Sequence, residues 1–151
     1  MAATFHPSHV LLLPTIQKAK NSSPPNMLLQ NYKTLNELTQ LHYDMMKKGL
    51  FHNLVVACVQ IGTHESLNYA LNVFKEDDVA TCSLYTCNSL IRGCASSELG
   101  KEAIFIYVYM VVVMGVVPEK FTFPFLLSVC SKILAFSEGA QVHAVVVKMG
   151  L

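Results

Sequence analysis

The sequence has no tryptophan, and only 14% of its 151 residues are charged. With apolar residues at 52%, so few charges exclude an intrinsically disordered chain. They point to elements that bury more than one face, or to a piece that packs against more chain. The net charge is +1, which excludes a broadly basic surface. Any nucleic-acid contact must then rest on a local groove. No G-x-x-x-x-G-K loop occurs, so a phosphate cradle of that kind is excluded. No nucleophile–base or paired-carboxylate pattern stands out, and catalysis in this chain is not expected. The five cysteines, at 58, 82, 87, 94 and 130, are odd in number and form no C-x-x-C pair. That argues against a disulfide framework and against a thiolate metal site. Cys58, Cys94 and Cys130 lie among apolar residues, where a thiol serves as a small hydrophobe. No metal or cofactor is expected.

Acidic residues are missing from the first part of the chain; the first is Glu37. The leader, residues 1–26, holds Lys18 and Lys20, several Ser, Thr and Pro, and an apolar patch at Val10–Leu13 stopped by Pro14. This composition fits an organellar transit peptide; an ordinary disordered terminus has the same look. Arginine is absent from the leader, which favours a chloroplast over a mitochondrial address. A long apolar run is also missing. The best candidate, Ala103 to Val117, has 15 residues and contains Gly115, whereas a spanning helix needs about 20. No membrane partner is expected, although a small membrane-associated protein built on this valine-rich stretch is a third function class to weigh.

What the chain does have is internal repetition, the first thing to seek in a helical sequence. The segment from Asn88 matches the one from Pro124 at an offset of 36 (124 − 88). Leu90 then meets Leu126, Ile91 meets Leu127, Cys94 meets Cys130 and Glu102 meets Glu138. A second match pairs ELTQLHYDMMKKGL, from Glu37, with EGAQVHAVVVKMGL, from Glu138, at an offset of 101 (138 − 37). Six of those 14 positions are identical without a gap, including His42 with His143 and Gly49 with Gly150. The longer offset is close to three units of ~34, the period of helix-turn-helix solenoids.

Helix punctuation agrees with that period. Thr34-Leu35-Asn36-Glu37 has the T-x-x-E form of a capping box, and Leu38, Leu41 and Met45 follow at helical spacing. Gly49 stands where a C-terminal glycine belongs. Ser97 to Gly100 makes a polar turn before a helix over Lys101–Met114, with Ala103, Ile104, Tyr107 and Met110 on one face. Gly115 closes it and Pro118 prevents continuation. Thr122-Phe123-Pro124 opens another helix, with proline in its first turn. Ser137 is the expected cap of the last. Alternating helices with short turns, and no period-two runs, predict an all-α fold of stacked antiparallel pairs.

At this level YTCNSLIRGCASSELGKEAIFIYVYM followed by G-x-V-P-E resembles the P-type unit of the pentatricopeptide-repeat family. FTFPFLLSVCSK with EGAQVHAVVVKMGL resembles the L-type unit of the plant PLS subgroup, and KTLNELTQLHYDMMKKGL the second half of an earlier one. The resemblance covers about residues 28–151. It implies a right-handed α-solenoid divided into a partial L-type unit at 27–50, an S-type unit at 51–83, a P-type unit at 84–119 and an L-type unit at 120–151. It also implies a partner, single-stranded organellar RNA, bound roughly one base per repeat through unstacked base edges. DNA is not implied; other editing factors are further partners of such proteins.

In the family, the fifth and last residues of a repeat choose the base and the second packs against it. Carried over, the base-reading residues are Asn88 and Glu119 in the P-type unit, with Ser83 last and Asn53 fifth in the irregular S-type unit. Tyr85 and Phe121 are the base-packing residues, though aromatics at helical spacing commonly belong to a core. Pro124, fifth in the final unit, has no polar side chain to read with. Glu119 departs from the family's usual Asp or Asn. Asn88 equally suits a helix cap. Lys47, Lys48 and Lys148 suit either a helix dipole or a phosphate. His42 and His143, a hundred residues apart, belong to separate turns and read as packing groups. The H-x-E and C-x-x-C motifs of a zinc deaminase are missing. The expectation is therefore the RNA-binding module of an organellar RNA-processing or editing specificity factor. A protein-interaction α-solenoid, or a truncated product without function, is the competing reading.

Overall fold

The computed structural model describes residues 34–76 and 82–151. The expected transit peptide at 1–26, the start of the first unit at 27–33 and the stretch 77–81 lie outside the described residues. Seven α-helices occur among those described: α1 (Leu35–Lys47), α2 (Phe51–Ile61), α3 (His64–Glu76), α4 (Leu84–Ala95), α5 (Gly100–Val108), α6 (Phe123–Lys132) and α7 (Phe136–Lys148). A single π turn, Tyr109–Val113, extends α5. No strand occurs among the described residues. The fold is an all-α solenoid, as the spacing predicts.

The helices form two layers. The even helices stack on one another, α2 on α4 and α4 on α6. Each odd helix packs on the even helices next to it in sequence. An even helix is therefore covered on several sides, and its sequence shows it. Leu54, Leu90 and Leu126 are fully buried, one in each even helix, and stand 36 residues apart. Cys58, Cys94 and Cys130 make a second buried ladder with the same spacing. Burial pushes the Cys58 and Cys94 thiols up to about 12, so both are inert small hydrophobes. The 36-residue period thus runs back through α2, one unit further than the Asn88 and Pro124 match alone showed.

Helix ends follow local chemistry. Thr34 Oγ1 accepts from the Glu37 backbone N–H at 3.4 Å and caps α1. At the other end, Gly49 has φ 68°, and the Leu50 N–H reaches back to the Met45 carbonyl at 2.8 Å. The same geometry closes α7, where Gly150 has φ 71° and Leu151 N–H donates to the Val146 carbonyl at 3.1 Å. Two copies of K-x-G-L, 101 residues apart, give two copies of one left-handed cap.

Three expectations need correction. The helix over Lys101–Met114 is α-helical only to Val108. Beyond it the Met114 N–H donates to the Tyr109 carbonyl at 3.1 Å, five residues back. Val113 is exposed there, and Met114 packs against the core. The buried stripe of α5 is Ala103, Ile106 and Met110; Ile104 and Tyr107 are half-buried beside it. Last, Ser137 does not cap α7. The helix begins two residues earlier, behind Ala135, which makes no side-chain cap, and Ser137 Oγ instead accepts from Gln141 Nε2 at 3.4 Å. No helix among the described residues is long and apolar enough to cross a membrane.

The α6–α7 turn carries a strained residue. Ala135 N–H donates to the Cys130 carbonyl at 2.9 Å, the bond of a left-handed cap. The residue in the glycine place is Leu134, with φ 57° and 68% exposure. Its side chain buries little, so nothing offsets a left-handed cost of about 1 kcal/mol. Leu134→Gly is expected to stabilise the fold by about 1 kcal/mol, read as a rise in the urea midpoint with an unchanged slope.

Candidate nucleic-acid interface

The first turns of the even helices lie side by side, and two side-chain relays join them. In the first, the Glu119 backbone N–H donates to Thr122 Oγ1 at 3.2 Å. Thr122 Oγ1 in turn donates to Asn88 Oδ1 at 2.8 Å. Thr122 is fully buried, so its hydroxyl is committed as both donor and acceptor. The Asn88 amide is thereby held with its carbonyl inward, which leaves its Nδ2 donor for a ligand. Asn88 is not a helix cap; it lies inside α4, whose cap is Ser83.

The second relay repeats the first one unit earlier. Thr86 N–H donates to Ser83 Oγ at 3.2 Å. Ser83 Oγ and Thr86 Oγ1 share a hydrogen bond at 3.0 Å, and Thr86 Oγ1 shares another with His52 Nδ1 at 2.8 Å. His52, Thr86 and Ser83 stand 36 residues before Asn88, Thr122 and Glu119. The geometry puts His52, not Asn53, in the place equivalent to Asn88. Asn53 is the next residue on α2 and makes neither of these contacts; half of it is covered. Sequence reasoning named Thr122 only as a helix start and passed over His52 and Thr86. Stepping back 36 residues from Asn88 and Thr122 would have reached His52 and Thr86.

Beside each relay stands an exposed ring. Tyr85 is 60% exposed and Phe121 63% exposed, so neither belongs to the core, contrary to the common fate of aromatics at helical spacing. The His52 ring meets Tyr85 edge-on, with centroids 4.6 Å apart. Lys120 Nζ lies over the Phe121 ring at 5.1 Å from its centroid. An apolar face with a cation above it suits a base and its phosphate. Ser83, Glu119 and Pro124 are exposed on the same edge. Burial moves His52 below its ordinary value of 6.5, so its imidazole is neutral at pH 7 and offers both a donor and an acceptor.

The remaining sequence candidates lie elsewhere. His42 Nδ1 is hydrogen-bonded to the Tyr69 hydroxyl at 2.5 Å, between α1 and α3. Its repeat partner His143 is exposed on α7. Lys47 Nζ sits 5.9 Å from the Tyr43 ring centroid on the exposed face of α1. No group of three or more His, Cys, Asp or Glu among the described residues is arranged to hold a metal ion.

No protein-family model matches the chain. Curated relatives do. A pentatricopeptide repeat-containing protein of Arabidopsis thaliana is 43% identical over 129 residues, covering 81% of this chain and 15% of the relative. A second from the same plant, named as chloroplastic, is 39% identical over 134 residues, or 84% of this chain and 18% of its own length. A third, named as chloroplastic/mitochondrial, is 42% identical over 85 residues, 56% of this chain and 13% of the relative. The chain thus spans under a fifth of these three proteins. Its helix pairs, their 36-residue period and these identities agree: the chain belongs to the pentatricopeptide-repeat family.

Proposed function

We propose that the edge formed by the first turns of α2, α4 and α6 binds single-stranded RNA, as part of an organellar RNA-processing or editing specificity factor. The observation that carries this is the doubled relay. Two polar side chains, His52 and Asn88, are each fixed by a buried threonine at the same repeat position, and each is followed by an exposed ring. A groove built that way presents one oriented hydrogen-bonding group and one stacking surface per unit, which is what reading unstacked bases requires. The Asn88 Nδ2 donor and the Glu119 carboxylate together offer one donor and one acceptor to a pyrimidine edge. In the unit before, His52 and Ser83 take those roles. On this reading the S-type unit spans 48–83, three residues longer at its start than the sequence expectation, and the P-type unit stays at 84–119. The printed names of two relatives, chloroplastic and chloroplastic/mitochondrial, support a plastid location.

With so few units the isolated chain is expected to bind weakly, in the micromolar range or above. Fluorescence anisotropy with single-stranded RNA pools is the test, with duplex DNA as the comparison. Tyr85→Ala should weaken RNA binding by about 1–3 kcal/mol, the cost of one lost base stack, while leaving the helical circular dichroism intact. Affinity should also fall steeply with salt. Binding that ignores salt and Tyr85 but takes up an amphipathic peptide would replace this function with that of a protein-interaction solenoid.

The relay also has a pH signature. The folded His52 titrates below 6.5, so the unfolded chain takes up its proton first as pH falls. The stability tied to this group is complete above pH 6.5 and is lost as pH drops through the folded value. An NMR titration should place the His52 midpoint below 6.5, and His52→Gln should flatten the decline of the urea midpoint below that pH.

A further inference from the structure

Two cysteines lie outside the buried ladder. Cys82 immediately precedes the α4 cap Ser83 and is half-buried. Cys87 is fully buried at the end of the first turn of α4. Their sulfurs are 3.5 Å apart. The Cys87 sulfur also contacts Met114 Sδ at 4.0 Å, the residue that closes the π turn. A disulfide requires a sulfur separation of about 2.05 Å. Closing the gap takes a shift of roughly 1.5 Å, and Cys82 stands outside α4, just before its cap Ser83.

We propose that Cys82 and Cys87 form a redox-active thiol pair that closes to a disulfide in exchange with a small-molecule disulfide, and that closure disturbs the adjacent Ser83–Thr86–His52 relay. The exchange has two steps. The accessible Cys82 thiolate attacks the small disulfide, breaks its S–S bond and releases one thiolate, leaving a mixed disulfide on Cys82. The Cys87 thiolate then attacks the Cys82 sulfur, expels the second small thiolate and forms the Cys82–Cys87 bond. The protein loses two protons and two electrons, and the small disulfide is reduced to two thiols. Cys87 suits the second step by position: its sulfur lies 3.5 Å from the Cys82 sulfur it must attack, in the first turn of α4, where a helix N-terminus favours a thiolate. The other three thiols are excluded. Cys58, Cys94 and Cys130 are buried on separate helices, and burial raises all three.

Ser83 and Tyr85 lie inside the ring that this bond would close. Drawing Cys82 toward α4 pulls Ser83 off the Thr86 hydroxyl, so oxidation is expected to weaken RNA binding several-fold; that consequence rests on the RNA-binding proposal, whereas the bond does not.

The test equilibrates the full chain with oxidised and reduced glutathione and then digests it with chymotrypsin, which cleaves after exposed Tyr85. In oxidised protein the pieces carrying Cys82 and Cys87 should stay joined until reductant is added, and the thiol count in denaturant should fall from five to three. Cys87→Ser should instead accumulate glutathione on Cys82, and Cys94→Ser should behave like the parent. Pieces that separate without reductant, or a parent protein that stops at the mixed disulfide, would overturn the pair. Equal RNA affinity in the two redox states would overturn its link to the groove. RNA bound by neither state would count against the RNA-binding proposal alone, with the cross-link result unaffected.

Discussion

Burial of each even helix by its neighbours is the constraint on which the rest of this structure depends. Leu54, Leu90 and Leu126 lose all contact with solvent, and each contributes about 1.5–3 kcal/mol relative to an exposed leucine. None can do so within a single helix pair, because a pair leaves one face of its even helix open. Stacking supplies the missing cover, so the period of the core must equal the period of the chain. That is why the buried leucines and the buried cysteines repeat at 36 residues, and why the odd helices keep the same register with Ala70, Ile106 and Val142.

The same constraint makes the candidate interface. An even helix that is covered along most of its length keeps a free edge at its first turn. A threonine at that edge sits at the boundary between core and water. It cannot be buried with an unmet hydroxyl without a cost of ~1–3 kcal/mol, so it recruits a partner from each side. Thr122 takes Glu119 N–H and Asn88, and Thr86 takes Ser83 and His52. The partner from the preceding helix becomes fixed in orientation as a by-product of satisfying a core residue. The polar groups at this edge are therefore held by the stack itself rather than by a mobile loop.

Much of this was legible in the sequence, and what was missed has physical causes. Helix pairs, the Thr34 cap, and the matching Gly49 and Gly150 ends were readable because each depends on a few adjacent residues. The relay was harder, since its members come from different units and meet only after stacking. Asn53 attracted attention as an amide near the expected position, whereas the packing selects its neighbour His52. Counting from the start of a unit fails where turns differ in length; counting between buried leucines does not, because the core fixes the register. Ser137 looked like a cap by type, but the Ile133–Ala135 turn completes the left-handed end of α6 and starts α7 two residues early. The π turn left no sequence signature. Met114, four residues after Met110, would share its face in an α-helix as well, and nothing in the packing explains the wider turn.

The end of that turn links the two layers. The wide turn that extends α5 has poorer hydrogen-bond geometry, and Met114, just beyond it, lies beside Cys87. Methionine tolerates such a seat because its unbranched, polarisable side chain fills irregular gaps. Cys87 is thereby packed from the odd layer by Met114 and from its own helix end by Cys82. The first turn of α4 carries Ser83, Tyr85, Thr86 and Asn88 within a few residues, so what supports Cys87 also supports the whole candidate reading edge. The π turn in the outer layer and the oriented side chains in the inner one are thus joined at one sulfur contact.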